Sequence, residues 1–313
     1  PAEPPVAEPP LLEPVAAEPA GEEPAPGVST ELSADPVELD LYLESGFTDQ
    51  FDALLAEFTA QHPQVTFKIR SDSFQNLAQN AVRIMSSPDA PDLMRFPTVQ
   101  AAAKDGILLN LDEYAEAYGW NDWPQGTLNQ VRIDETGARG SGSLYALGVG
   151  YNVTGVYYNK AKAEELGIEI PIATIADLEA AMDKAVAAGE TPIMLGNADF
   201  TYAFPLQMIQ NQLEGLDQVK AWIYQKDGAT YDLPSSVEAA AKLQQWAEKG
   251  YFPADVNAID YATAIGSFTS GEGVFHFSGD WEAGGLTMNA PGEFGFFPFP
   301  GLTADAPKVA MAA

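Results

Sequence analysis

The adjacent residues Asp280 and Trp281 offer two different kinds of binding surface. They follow an apolar run at 274–277, Val-Phe-His-Phe, which predicts a short strand, and the turn residues at 278–279. An indole ring packs against apolar surface, whereas a carboxylate accepts hydrogen bonds from hydroxyl groups. The pair therefore predicts a binding site for a small ligand with an apolar face and a rim of hydroxyls. Alternatively, Trp281 packs against the core and Asp280 caps the next turn.

Further candidate contacts follow predicted strands in the N-terminal part. The alternating run at 37–43 predicts one strand, and the run at 92–96 predicts another. Ligands of sheets with parallel strands bind beyond the carboxyl ends of those strands. The candidates at these ends are Glu44, Ser45, Arg95, Phe96 and Thr98. Two alternatives stay open, because Glu44 can instead meet the dipole of the next helix and Arg95 can instead form a buried ion pair.

The remaining candidates lie in the central and C-terminal parts. Tyr151 and Asn152 occupy a predicted junction between two structural units, beside the expected cleft. A second group lies between a strand predicted at 191–195 and a helix predicted at 203–213. These residues are Asp199, Phe200, Thr201 and Tyr202. Phe200 and Tyr202 can alternatively belong to the core.

The composition argues against several kinds of function. With 15 basic and 45 acidic residues, the chain has a formal net charge of -30. We expect no nucleic-acid partner, because phosphates require basic patches. There is no cysteine, and the histidines are His62 and His276, so we expect no metal site, no cofactor and no catalytic triad. His276 lies between two phenylalanines, and we interpret it as structural.

Strands and helices alternate along both halves of the chain. Helices predicted at 47–62, 74–87 and 98–106 separate strands at 37–43, 65–69 and 92–96. Beyond Lys160 the predicted helices are 174–189, 203–213, 235–249 and 260–271. This order predicts an α/β fold of two lobes, each a mostly parallel sheet flanked by helices, with the ligand cleft between them.

Helical spacing also predicts which side chains face inward. In the first helix the apolar face includes Leu54 and Phe58, and in the second it begins at Phe74. Thr174 and Asp177 have the spacing of a capping box at the start of their helix.

Residues 1–36 predict a disordered tether. They contain ten prolines, eight acidic residues and no lysine or arginine. Proline removes a backbone donor and fixes φ, and the like charges repel one another, so neither a helix nor a paired strand is expected. Such a spacer is typical of a protein attached at its N-terminus, and a lipid-modified residue is one candidate for the attachment. Alternatively, the segment is a plain disordered tail.

Six stretches resemble, in order, extracellular solute-binding proteins of bacterial ABC transporters, the carbohydrate-type family of maltose-binding protein and its relatives. The stretches are 41–69, 86–96, 103–114, 144–160, 268–281 and 294–301, and together they cover about 37–301. The segment FTSGEGVFHFSGDW resembles the family segment that ends in a stacking tryptophan. LYALGVGYNVTGVYYNK and FGFFPFPG resemble the two strands that join its lobes.

This resemblance implies a type II periplasmic-binding-protein fold with specific boundaries. Residues 37–147 would form the first lobe and 148–293 the second, with 294–313 as the second hinge strand and the return to the first lobe. Members of the family usually continue beyond this point. The resemblance therefore implies that the usual C-terminal part is not in this chain.

The resemblance also implies a function and partners. The expected function is capture of a sugar or oligosaccharide by lobe closure, outside the cytoplasm, and its delivery to an ABC permease. We expect a monomer that is not an enzyme and that meets the membrane only through a lipid anchor on the tether. Two alternatives are the same fold binding another solute, such as a polyamine, and a glycosidase that uses two carboxylates.

Overall fold

The structure is a computed structural model, and it describes residues 27–45, 48–148, 150, 152–306 and 308. Most of the predicted tether, residues 1–26, and the candidate Tyr151 lie outside the described residues.

The N-terminal part contains the strands and helices predicted between residues 37 and 106, followed by shorter elements. They are β1 (Val37–Glu44), α1 (Thr48–Gln61), β2 (Val65–Asp72), α2 (Phe74–Met85), β3 (Leu93–Met94), α3 (Gln100–Lys104), α4 (Asp112–Ala117), α5 (Gln125–Leu128), β4 (Arg132–Ile133) and β5 (Ser143–Leu144).

The C-terminal part is richer in helices. Its elements are β6 (Thr154–Asn159), α6 (Lys160–Glu165), α7 (Ile175–Ala187), α8 (Ala203–Glu214), α9 (Leu216–Ile223), α10 (Pro234–Glu248), α11 (Tyr261–Thr269), β7 (Phe275–Gly279), α12 (Ala283–Asn289) and β8 (Phe294–Phe297). The capping box of α7 is confirmed, with Thr174 as the N-cap and Asp177 as its partner.

The N-terminal sheet is parallel, as predicted. Its strand order is β2-β1-β3, and β1 pairs in parallel with both neighbours. Parallel strands end at the same edge of a sheet, so Glu44, Asp72 and the residues after Met94 lie along one edge. The backbone N–H of Arg95 donates to the carbonyl of Tyr42 at 2.8 Å, which fixes the chain just beyond β3.

The C-terminal sheet corrects the prediction of two mostly parallel sheets. Its order is β7-β6-β8, and β6 pairs antiparallel with both neighbours. Strands β6 and β8 were predicted to join the two lobes. Because one would leave the first lobe and the other would return to it, the two strands run in opposite directions and can pair only as antiparallel strands.

The strand predicted at 191–195 is also wrong as a regular strand. The structure has a single parallel bridge there, between Ile193 and Phe275. One residue later the carbonyl of Met194 accepts a hydrogen bond from His276 Nδ1 at 2.8 Å. The imidazole of His276 thus takes the place of the backbone N–H that would continue the ladder. The segment then continues as buried, irregular backbone.

The main apolar core lies in the C-terminal part. It surrounds the fully buried side chains of Leu178, Trp246, Phe275 and Phe277. The indole N–H of Trp246 donates to Glu179 Oε1 at 2.8 Å, so its buried polar atom is satisfied. Burial of each such large side chain contributes about 1.5–3 kcal/mol to folding.

The N-terminal part is less enclosed than helical spacing predicted. Leu54 of α1 is 64% exposed and Phe74 of α2 is 44% exposed, so their predicted inward orientation is wrong, and Phe58 is also exposed. The sheet has three strands with β2 at its edge. An apolar helix face that extends past such an edge has no further strand to pack against.

His276 should make stability depend on pH. Burial lowers the pKa of His276 to about 4, from 6.5, and the hydrogen bond to Met194 offsets only part of this effect. Its nearest titratable neighbours are Tyr157 on β6 and Tyr261, whose ring centroid is 6.1 Å away. The folded state therefore favours the neutral imidazole, whose stabilising contribution is complete above pH 6.5 and is lost as the pH falls towards 4.

We expect His276 to remove about 3 kcal/mol from the free energy of unfolding between pH 7 and pH 4. His276→Asn keeps a donor for Met194 but does not titrate, so it should be less stable at pH 7 and lack this part of the decline. Urea unfolding at several pH values measures both chains, with His62→Asn as the control. The same pH dependence in wild type and His276→Asn would contradict the assignment.

Candidate functional site

The carboxyl edge of the N-terminal sheet brings two predicted residues together. Arg95 Nε lies 3.5 Å from Glu44 Oε2, and the two side chains are 38% and 16% exposed. Burial raises the pKa of Glu44, and the charge and hydrogen bond of Arg95 oppose that rise. Glu44 Oε2 is buried without a hydrogen-bond partner of good geometry. The pair is thus a partly desolvated, locally neutral group at the expected cleft edge.

The other three N-terminal candidates differ in their surroundings. The backbone N–H of Ser45 donates to the carbonyl of Asp72 at 2.9 Å, which holds Ser45 beside the end of β2. Phe96 packs against a small core that includes Val99 and Ile133, and this favours a packing role. Thr98 is exposed just before α3.

Asp280 joins the end of β7 to the start of β6. Its Oδ1 accepts a hydrogen bond from the N–H of Val153 at 3.1 Å, and its own N–H donates to the carbonyl of Val153 at 3.1 Å. This reciprocal pair places Asp280 beside Asn152, which is half-buried at the predicted junction. Asp280 therefore has a structural role, although a carboxylate can accept several hydrogen bonds at once.

Trp281 is half-buried and fixed on several sides. Its Nε1 donates to the hydroxyl of Tyr261 at 2.7 Å, and the ring centroid of Phe204 lies 5.7 Å away. The benzene part of the indole lies against Gly279, where an added Cβ would approach Trp281 to 2.0 Å. The polar atom of the indole is thus engaged within the protein, and the apolar ring surface is what remains for a ligand.

Tyr261 links the two C-terminal groups of candidates. Its backbone N–H donates to Asp199 Oδ2 at 2.9 Å, while its hydroxyl contacts Ser278 Oγ at 2.6 Å and donates to Glu282. Burial, and secondarily the charge of Glu282, raises the pKa of Tyr261. Burial also raises the pKa of Glu282, and its hydrogen bonds to Tyr261 and Trp281 offset part of that rise.

Sequence reasoning missed Tyr261, Phe204 and Glu282 as parts of this site. Tyr261 was expected only on the inward face of its helix, and it lies 20 residues from Trp281 in the chain. Helical spacing signals burial but not which distant residue a hydroxyl contacts.

The turn at 199–202 presents an aromatic side chain to solvent. Phe200 is 72% exposed and has a φ of 66°, a left-handed conformation that is costly for a bulky residue. The hydroxyl of Thr201 donates to the carbonyl of Gly196 and helps to fix the turn. The exposure of Phe200 argues against a core role.

Tyr202 belongs to a different feature, a cavity of about 270 Å³ within the C-terminal part. Its lining comprises Leu195, Asn197, Tyr202, Leu243, Gln244, Ala247, Phe252, Val256 and Asn257. Tyr202 is the one member of the predicted site among these residues.

The described part of the chain offers neither a metal site nor a membrane-spanning helix. Within it, no group of three or more histidine or acidic side chains is arranged to hold a metal ion. No helix among the described residues is both long and apolar enough to span a bilayer.

The chain belongs to the bacterial extracellular solute-binding protein family, whose sequence model matches residues 44–313. Its fold is that of the two-lobed type II periplasmic binding proteins, which confirms the predicted fold class. A solved chitin oligosaccharide binding protein superposes with a TM-score of 0.70 at 21% identity, covering 89% of this chain and 71% of that structure.

Two curated relatives support the same family. A probable sugar-binding periplasmic protein of Mesorhizobium japonicum is 26% identical over 221 residues, which cover 68% of this chain and 50% of that protein. The multiple sugar-binding protein of Streptococcus mutans is 24% identical over 236 residues, which cover 70% of this chain and 55% of that protein. The chain thus spans about half the length of these curated relatives.

Gly279→Ala should displace the side chain of Trp281 while leaving residue 281 itself unchanged. The φ of Gly279 is -122°, so alanine itself is unstrained, but its Cβ would overlap the indole. We expect a loss of about 1–3 kcal/mol in the free energy of unfolding, together with altered tryptophan fluorescence. Gly284→Ala is the matched control, because its Cβ meets nothing within 4 Å in helix α12. Equal fluorescence and stability in the two variants would contradict this packing.

Proposed function

We propose that this chain is an extracytoplasmic solute-binding protein that captures a sugar or oligosaccharide between its lobes. The observation that carries the proposal is Trp281, a half-buried indole held by Tyr261 beside Asp280 at the end of β7. The names of both curated relatives, sugar-binding in each case, support the same ligand class.

The chemistry of this corner suits a carbohydrate. A sugar ring has an apolar C–H face that packs on an aromatic ring, and hydroxyls that donate to carboxylate or amide oxygens. Trp281 supplies the ring surface, and Asp280 and Asn152 supply acceptors beside it. We assign Phe200 as a second aromatic contact because its exposed ring comes from the turn that also carries Asp199.

The N-terminal lobe would contribute Glu44, Ser45, Arg95 and Thr98 from the other side of the cleft. The charge of Glu44 is balanced by Arg95 at 3.5 Å. A cationic ligand such as a polyamine would meet that arginine, so we favour a neutral ligand that exchanges hydrogen bonds with both side chains.

Closure of the lobes around the ligand would complete the site. We propose that the closed form delivers its ligand to an ABC permease, as a monomer, and that residues 1–36 tether it, through a lipid, to the outer face of a membrane. No catalytic step is assigned to any residue.

The proposal predicts that specific carbohydrates raise the midpoint of thermal unfolding. A ligand at a hundredfold excess over its dissociation constant stabilises the folded state by about 2.7 kcal/mol. We would screen mono- and oligosaccharides alongside polyamines at fixed salt.

Trp281→Ala should abolish the shift, whereas Tyr231→Ala, which removes an exposed ring that stacks on Trp222, should retain it. A shift with polyamines alone would replace the sugar by a cationic solute, and release of product from glycosides would contradict a role in binding alone.

A further inference from the structure

One hydroxyl group, that of Tyr261, is the meeting point of three side chains. Trp281 Nε1 lies 2.7 Å from it, Ser278 Oγ lies 2.6 Å from it, and Glu282 Oε1 accepts a hydrogen bond from it. Ser278 is fully buried on β7, and Glu282 lies in the turn that follows Trp281. Helix α11, strand β7 and this turn are therefore joined at one atom.

The direction of each hydrogen bond follows from the chemistry of the partners. An indole N–H can only donate, and an ionised carboxylate can only accept. Tyr261 therefore accepts from Trp281 and donates its single proton to Glu282, which leaves Ser278 to donate to the second lone pair. Every donor and acceptor of the tyrosine hydroxyl is then used.

A saturated hydroxyl of this kind restricts the orientation of its neighbours. Turning the indole of Trp281 would leave its N–H and one lone pair of Tyr261 without their present partners, and each such loss is costly at a half-buried position. The ring packs directly against the backbone of Gly279, which is possible because Gly279 has no Cβ, and this contact limits the ring from another direction.

We propose that Tyr261 is the positioning residue of the ligand site: it holds the Trp281 ring ready for stacking and keeps the indole N–H away from the ligand. This inference rests on the proposed function. It adds that Trp281 recognises the apolar face of a sugar and none of its hydroxyls, so hydroxyl recognition falls to other side chains. Because the Trp281 ring is already held in its binding orientation, ligand binding does not incur the entropy cost of ordering it.

Tyr251 offers a matched control in the same lobe. Its hydroxyl also donates to a carboxylate, that of Asp183, and accepts from Lys249 Nζ at 2.9 Å, and its ring lies near the indole of Trp246. Tyr251→Phe thus removes a comparable hydroxyl beside a different tryptophan, without touching Trp281.

The test combines a measurement on the ring with one on binding. The full chain is labelled with fluorotryptophan, and Trp281→Phe identifies the ¹⁹F resonance of Trp281. In Tyr261→Phe we expect that resonance to shift and to broaden or split. Affinity for the carbohydrate that binds the wild type should fall about tenfold, as expected for one lost hydrogen bond in a buried network. In Tyr251→Phe both should match the wild type.

Further variants keep the test decisive. Glu282→Gln retains an acceptor for the Tyr261 proton and should preserve the wild-type resonance. Glu282→Leu removes that acceptor, so it should shift and broaden or split the Trp281 resonance as Tyr261→Phe does. This variant tests the proposal if Tyr261→Phe does not fold. An unchanged Trp281 resonance in folded Tyr261→Phe would overturn the proposal, as would a changed resonance with unchanged affinity; Glu282→Leu takes the place of Tyr261→Phe only if the latter does not fold.

The ligand-free resonance separates this inference from the proposed function. If no carbohydrate binds the wild type, the proposed function fails, while the ligand-free resonance of Tyr261→Phe still shows whether Tyr261 orders the Trp281 ring. If carbohydrates bind and Tyr261→Phe behaves as the wild type does, only the positioning role is overturned.

Discussion

The antiparallel pairing of β6 with β7 is the constraint on which the candidate site depends. It runs from the pair Tyr158 and Phe275 to the pair Thr154 and Gly279, and the reciprocal hydrogen bonds of Val153 and Asp280 continue it. This continuation places the turn that carries Trp281 directly beside the junction residue Asn152. A shift of one residue in the register would turn the buried side chains of β7 to the opposite face.

The same strand connects the site to the core. Phe275 and Phe277 face the main apolar cluster, whereas His276 and Ser278 face the side on which Tyr261 lies. One face of β7 therefore anchors the strand by burial, and the other supplies the polar contacts that orient the aromatic side chains. The two requirements explain why the strand alternates phenylalanine with polar residues although all five of its residues are buried.

Short sequence patterns predicted the features that depend on residues close together in the chain. The capping box of α7 and the turn at Asp280 and Trp281 follow from spacing that a few adjacent residues determine. The parallel N-terminal sheet follows instead from the alternation of strands and helices along the chain. The antiparallel C-terminal sheet and the hydroxyl contacts of Tyr261 depend on partners more than 15 residues away, which spacing does not encode. The exposure of Leu54 likewise depends on how many strands the neighbouring sheet has, and not on the helix that carries the residue.

The ion pair of Glu44 and Arg95 has a consequence for the rate of capture. The chain carries a net charge of -30, a field that slows the approach of anions and speeds that of cations. An uncharged solute experiences neither effect, and at the proposed cleft edge it would meet a pair whose charges cancel. Encounter with such a solute is then independent of ionic strength, so a binding protein with this surface would collect it equally well in dilute and in saline surroundings.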